Sequence, residues 1–67
     1  MAVARVTEVI GISPLGWKEA LDEALNRANR TLRNITRVEV LRQEATIDNG
    51  KIKDYMVTCN ITFILEK

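Results

Sequence analysis

The sequence contains no histidine and a single cysteine, Cys59, and these shortages exclude several kinds of site. One thiol cannot form a disulfide within the chain, and without histidine or a second thiol there is no zinc-type ligand set. General acid–base catalysis needs a positioned histidine or paired carboxylates, and nucleophilic catalysis needs an activated side chain beside a base. Neither arrangement is visible, so we expect a protein that is not an enzyme.

Long apolar runs are also missing, and none approaches the roughly 20 residues of a membrane span. The ten basic and nine acidic side chains give a formal net charge of +1. This balance disfavours a protein that binds nucleic acids through many phosphate contacts, because such binding needs a strongly basic surface. We therefore expect a cytoplasmic protein with no membrane partner and no nucleic-acid partner.

The 67 residues are 46% apolar and 28% charged, which is typical of one globular domain covering residues 1–67. A domain this short buries only about 60% of the surface of its unfolded chain, so it is marginally stable without a disulfide, a metal or partner subunits. Oligomerisation is the expected source of stability, because the disulfide is excluded and the sequence shows no metal ligand set.

Hydrophobic periodicity predicts a strand followed by a helix in the first half of the sequence. Val3 to Ile10 alternates as a strand, and we expect Gly11 to end it. Ser13 can cap the helix and Pro14 suits the first helical position, while Gly16 leaves the exact start of the helix open. Apolar residues then recur at intervals of three and four, which predicts one stripe of an α-helix: Trp17, Ala20, Leu21, Ala24, Leu25, Ala28 and Leu32.

The second half predicts two long strands joined by a hairpin. Apolar residues alternate from after Asn34 towards Ile47, Asp48-Asn49-Gly50 has turn chemistry, and a third strand runs from about Lys51 to Leu65. One helix cannot cover strands this long, so sheet edges stay unpaired unless neighbouring chains cover them. The predicted fold class is α+β, with the order β-α-β-β and a three-stranded antiparallel sheet wrapped around one helix.

Six segments spread over nearly the whole sequence carry a family resemblance. They are the turn Gly11-Ile12-Ser13-Pro14 before Trp17, Thr31-Leu32-Arg33-Asn34, Glu39-Val40 with Gln43, Asp48-Asn49-Gly50-Lys51, Tyr55, and Phe63-Ile64-Leu65-Glu66. Together they resemble the dodecins. The resemblance implies a flavin-binding flavoprotein that stores its ligand in a hollow homododecamer of cubic symmetry, built from trimers.

The resemblance also implies a ligand site, and this sequence departs from the family there. In such dodecins a pair of flavins lies near each two-fold axis, sandwiched by a tryptophan of strand two and hydrogen-bonded by a glutamine of strand three. These two positions fall on Arg37 and Met56, and Val38 and Gln43 complete the candidate cofactor-binding residues. Neither the stacking indole nor the directing amide is present.

Arg37 changes the chemistry expected of this site. Its planar guanidinium can stack on an aromatic ring, but two such groups 4 Å apart repel each other by roughly 4 kcal/mol at a dielectric constant of about 20, unless they clamp an anion. Met56 fills space and cannot direct a hydrogen bond as an amide does. A flavin (FMN, riboflavin or lumichrome) therefore competes here with phosphate-bearing or carboxylate ligands. Alternatively, Arg37 is an exposed residue paired with Glu39 or Glu44 of a neighbouring subunit.

Other interpretations of the sequence stay open. One is a structural dodecameric shell that has lost flavin binding and holds a divalent metal ion or an anion at a symmetry axis, with ligands that the sequence leaves unknown. Three residues are interpreted as core or subunit-interface residues rather than as ligand contacts: Trp17, Tyr55 and Cys59. Three arginines are interpreted as a solvated helix face rather than a nucleic-acid stripe: Arg27, Arg30 and Arg33.

Overall fold

The chain folds in the predicted order β-α-β-β in a computed structural model that describes residues 1–65. The elements are β1 (Ala4–Ser13), α1 (Trp17–Thr31), β2 (Ile35–Asp48) and β3 (Lys51–Ile64). The strands form one antiparallel sheet in the order β1-β3-β2, which confirms the predicted fold class. Glu66, one of the residues that carry the family resemblance, lies outside the described residues.

The predicted strand break at Gly11 is wrong, because β1 continues through this residue to Ser13. A Cβ atom on Gly11 would lie 1.9 Å from the carbonyl oxygen of Ala20 and 3.1 Å from Cβ of Ala24. Gly11 is also buried. The glycine therefore allows the helix to approach the strand closely at this point. It is present because a side chain would not fit under the helix, and it does not end the strand.

Of the helix starts that the sequence left open, the one with Ser13 as cap and Pro14 as first residue is wrong. The helix begins at Trp17, with Gly16 as its N-cap and no side-chain hydrogen bond at the cap. Ser13 still makes a local contact, since its Oγ accepts a hydrogen bond of 3.1 Å from the backbone N–H of Leu15. Because β1 ends three residues later than predicted, Pro14 lies in the turn that follows the strand and not in the helix.

Small side chains on one face of the helix pack against the middle of β3. The buried hydrophobic core consists of Ala20, Ala24 and Ala28 of the helix and Val57, Cys59 and Ile61 of β3. Alanines bring the helix axis close to the sheet, and their spacing of four confirms the predicted stripe. Within residues 1–65, no helix combines the length and the apolar character that crossing a bilayer requires.

Residues of positive φ shape the connections on both sides of β2. Asn34, with φ of 61°, directs the chain from the helix end into β2. Asn49 and Gly50 have φ of 55° and 79°, which is the left-handed pair that a two-residue hairpin requires. The predicted turn is confirmed. The pairing of β2 with β3 shifts register between Val40 and Arg42, where Leu41 is an extra residue in β2.

The molecule is elongated, with extents of 51 × 20 × 13 Å and a radius of gyration of 13.7 Å. A compact domain of this length has a radius of gyration of about 11 Å. Its accessible surface of 5122 Å² is about 800 Å² more than the roughly 4,300 Å² expected from its mass. The excess arises because the helix packs over β1 and β3 and leaves β2 largely uncovered.

Candidate functional site

Arg37 and Met56 lie on the same face of the sheet, the one turned away from the helix. Arg37 pairs with Thr62 of β3, whereas the core residue Ile61 points to the opposite face. Met56 has the same orientation as Thr62, because six residues separate them. The same six residues set Arg37 and Met56 about 20 Å apart along the strands. One chain therefore presents both side chains on one surface but does not bring them together.

Val38 and Gln43, the other two predicted site residues, lie on the helix-facing side of the sheet. Val38 pairs with Ile61 and is partly buried against the hydrophobic core. Gln43 pairs with Val57, but it is exposed because the helix does not extend over this part of β2. A single chain does not bring the four residues together, and the predicted site, which lies at a two-fold axis between copies, stays a prediction. The contacts of Val38 with the core give it a packing role.

Charged side chains of alternating sign occupy the outward face of β2. They are Arg37, Glu39, Arg42 and Glu44, and all four are exposed. Arg42 Nε lies 3.7 Å from Oε1 of Glu44, a long contact between exposed groups that contributes little to stability. The sequence alone did not predict Arg42 on this face, because regular alternation would place it on the same face as Val38 and Val40. The bulge at Leu41 reverses this relation.

An aromatic pair connects the start of the helix to both hairpin strands. The rings of Trp17 and Tyr55 pack edge to face, with centroids 4.8 Å apart and an angle of 78° between planes. Trp17 Nε1 donates a hydrogen bond of 3.0 Å to the backbone carbonyl of Glu44. Trp17 remains 38% exposed and Tyr55 is half-buried. Both residues therefore pack at the margin of the core, and the interpretation of Trp17 as a core or subunit-interface residue stays a prediction.

An open groove of about 290 Å³ lies between the free edge of β1 and the helix. It is lined by Ile10, Gly11, Ile12, Glu23, Ala24 and Arg27. Arg27 Nε lies 3.4 Å from Oε2 of Glu23, one helical turn away. This ion pair agrees with the interpretation of Arg27 as part of a solvated helix face. The groove has apolar walls, and the ion pair beside it has no net charge.

Two observations bear on metal binding and catalysis. Within residues 1–65, no group of three or more carboxylate or thiol side chains is arranged to hold a metal ion. Cys59 is fully buried, and burial raises the pKa of its thiol. A buried thiol of raised pKa stays protonated near neutral pH and is a poor nucleophile. The interpretation of Cys59 as a core residue is confirmed.

The fold and this surface define a two-layer α+β domain in which the helix leaves strand β2 largely uncovered. The Dodecin family model matches residues 3–66, and the chain belongs to the dodecin family. It is 35% identical to a dodecin of Thermus thermophilus over 65 residues, which are 97% of this chain and 94% of the relative. A solved dodecin structure from Streptomyces coelicolor matches with a TM-score of 0.96 and 36% identity, over 98% of this chain and 94% of that one.

A further relative carries a different description. The protein named calcium dodecin from Mycobacterium tuberculosis is 30% identical over 63 residues, covering 94% of this chain and 89% of the relative. Its crystal structure, described as having a novel calcium-binding site, matches with a TM-score of 0.86, over 97% of this chain and 93% of that one. One relative is therefore described by its calcium-binding site.

Proposed function

We propose that this protein assembles into a hollow homododecamer and binds and stores a small planar ligand of the flavin class without catalysing a reaction. Family membership supports the ligand class, and the surface in excess of a compact domain supports the assembly. The observation that carries the proposal is that Arg37 and Met56 share the sheet face that the helix does not cover. Since one chain holds them about 20 Å apart, the site is completed by a second copy.

Arg37 gives this site a preference for an anionic ligand. A guanidinium can stack on an isoalloxazine ring and can also donate two parallel hydrogen bonds to a phosphate. Lumichrome offers only the ring system and riboflavin adds an uncharged ribityl chain, whereas FMN adds a phosphate to that chain. We therefore expect FMN to bind more tightly than riboflavin, with riboflavin and lumichrome close to each other.

A fluorescence titration of sized protein tests the proposal. Lumichrome, riboflavin and FMN are added in parallel to the assembled particle, and saturable quenching near one flavin per subunit is expected. Arg37→Gln should remove the preference for FMN, because the phosphate loses its cationic partner. Arg30→Gln is the matched control, since Arg30 lies in the last turn of the helix, is exposed and is far from the sheet. Absence of quenching at tens of micromolar flavin would reject flavin binding.

The two departures from the family pattern can be reversed. Arg37→Trp combined with Met56→Gln supplies a stacking indole and a directing amide, and should raise flavin affinity at least tenfold, about 1.4 kcal/mol. The same titration measures the change. An unchanged affinity would show that the site differs from a flavin site in shape and not only in these two contacts.

Binding of a divalent cation is the second candidate, favoured by the similarity to the protein named calcium dodecin. Glu39 and Glu44 are exposed on the outward face of β2 and could contribute one carboxylate each from several copies. Calorimetric titration of flavin-free, assembled protein with Ca²⁺ and Mg²⁺ distinguishes cation binding from flavin binding. Saturable heat with Ca²⁺ and no flavin quenching would favour it.

A further inference from the structure

The turn between β2 and β3 places a side-chain amide beside an unhindered main-chain nitrogen. The turn consists of Asn49 and Gly50, both exposed, between the paired strand ends Asp48 and Lys51. Within residues 1–65, the N–H of Gly50 donates no hydrogen bond to the backbone. A Cβ atom built on Gly50 would meet nothing within 4 Å beyond its two chain neighbours. The Gly50 nitrogen is therefore open to solvent and sterically free to react.

The backbone angles of the turn are close to those that bring these two groups together. Asn49 and Gly50 have φ of 55° and 79°, and two positive values define a type I′ turn. In a type II′ turn the first residue has nearly the same φ, about 60°, but its ψ is about −120°. At this ψ the Cα–Cβ bond of an L residue eclipses the bond from its carbonyl carbon to the next nitrogen, because Cβ lies about 120° from the residue's own nitrogen around the Cα–C bond. The side chain and the next nitrogen are then neighbours.

Rotation of one peptide unit, the one between Asn49 and Gly50, converts the first turn into the second. The rotation leaves the φ of Asn49 near its present value and reverses the sign of φ at Gly50, which glycine accepts at little cost. Types I′ and II′ both match the twist of a two-residue hairpin, so the pairing of Asp48 with Lys51 is kept. The folded hairpin can therefore bring the Gly50 nitrogen to Cγ of Asn49 without separating its strands.

We propose that Asn49 is a site of spontaneous deamidation, and that the folded hairpin itself presents the Gly50 nitrogen to its side chain. Hydroxide removes the proton of the Gly50 N–H, and the nitrogen bonds to Cγ of Asn49. The bond from Cγ to Nδ2 then breaks, and the amine takes a proton from water and leaves as ammonia, which regenerates hydroxide. Water opens the resulting five-membered succinimide at one of its two carbonyls and gives aspartate or isoaspartate at this position. The reaction needs no partner and does not depend on the proposed self-association.

Each product changes the hairpin in a defined way. Both add a negative charge beside Asp48, which lowers the formal net charge of the chain from +1 to zero. In isoaspartate the main chain also passes through the side chain and gains one carbon atom, so the loop no longer has the length of a two-residue turn. The adjacent pairs Asp48–Lys51 and Ile47–Ile52 should therefore loosen in the isoaspartate form.

Mass spectrometry of the folded, full-length protein tests the proposal. The protein is incubated at mildly alkaline pH, and digested samples are mapped for a gain of about 1 Da at Asn49. Asn34 is the internal control, because its φ of 61° is also positive but the next residue, Ile35, is β-branched and begins a paired strand. Conversion of Asn34 should be slower by about tenfold or more, since the branched side chain hinders the nitrogen. In Asn49→Gln the gain should be slower by about tenfold or more, because ring closure would need six members.

A second comparison shows whether the hairpin presents the amide or protects it. The same chain is incubated unfolded in guanidinium chloride at the same pH. The folded protein should react at Asn49 within about tenfold of the unfolded rate, because the reactive turn is one of the two that hairpins favour. A folded rate further below the unfolded rate would overturn the proposal, since the turn would then hold the two groups apart. Equal conversion of Asn34 and Asn49 in the folded protein would also overturn it.

Discussion

The two sides of the sheet differ in how completely one chain can pack them. On the β1 side, the helix lies against the sheet closely enough to require glycine at position 11, and Cys59 and Ile61 are fully buried. On the β2 side, Val40, Leu41 and Ile47 are each at least 41% exposed, and the strand has a free edge. The first side is specified by contacts within the chain, whereas the second keeps a row of exposed charges and a free strand edge.

Replacing Gly11 should have the largest effect on the helix-covered side. Gly11→Ala introduces a Cβ atom that would meet the backbone of Ala20, which cannot move without displacing the helix. We expect a loss of about 3 kcal/mol or more in the free energy of unfolding, measured by denaturant titration. Gly16→Ala is the control, because its Cβ atom meets only the flexible end of Glu19. Equal stability of the two variants would contradict the close approach of helix and strand.

Shortening one buried and one exposed isoleucine of β3 should show how unevenly the strand is packed along its length. Ile61 is fully buried and Ile52 is 49% exposed near the hairpin turn. Ile61→Ala should lower the free energy of unfolding by about 3 kcal/mol through lost burial and a cavity, and Ile52→Ala by less than about 1 kcal/mol. Chemical unfolding followed by circular dichroism measures both. If Ile52→Ala were as costly as Ile61→Ala, the hairpin end would be packed as tightly as the core.

Trp17 connects the helix to β2 through a hydrogen bond. Loss of this hydrogen bond should lower the free energy of unfolding by an intermediate amount. Trp17→Phe keeps a ring beside Tyr55 but removes the donor to the carbonyl of Glu44. We expect a loss of about 1 kcal/mol, since that carbonyl is exposed and water replaces the indole. Tyr55→Leu, which keeps the hydrogen bond and removes the aromatic contact, provides the comparison. No change in either variant would show that the aromatic pair does not stabilise the hairpin.

The smallest effect concerns Cys59 and appears only at alkaline pH. Burial raises the thiol's pKa, so the folded state keeps a proton that the unfolded state releases above about pH 9. The contribution of the thiol to the free energy of unfolding is constant below its pKa in the unfolded chain. It falls as the pH rises through the higher pKa of the thiol in the folded protein. The free energy of unfolding should therefore decline more steeply above pH 9 than it does in Cys59→Ala. Parallel pH profiles would contradict the buried, protonated thiol.

The regular parts of the fold followed directly from the sequence. The alanine and leucine spacing of the helix, the alternation in β3 and the Asn49-Gly50 turn each reflect a local rule, and each is observed. The position of Gly11 did not follow, because local sequence cannot distinguish a glycine that breaks a strand from one that lets a helix approach. The latter depends on where Ala20 lies in three dimensions.

The candidate site was harder to predict for a related reason. The sequence identified Arg37 and Met56 but grouped them with Val38 and Gln43, which face the helix side. Arg42 was not recognised, since a bulge changes which residues share a face and leaves no local sequence signal at Leu41. The prediction grouped residues by their position along the strand. The pleat places Val38 on the opposite face from Arg37, and the bulge places Arg42 on the same face as Arg37.

Light scattering coupled to size-exclusion chromatography tests most directly whether copies of this chain complete the β2 side. At micromolar concentration, the account predicts one species of about 91 kDa, twelve times the 7.6 kDa chain. A stable, folded species of about 8 kDa would contradict the account, because the uncovered strand would then need no partner.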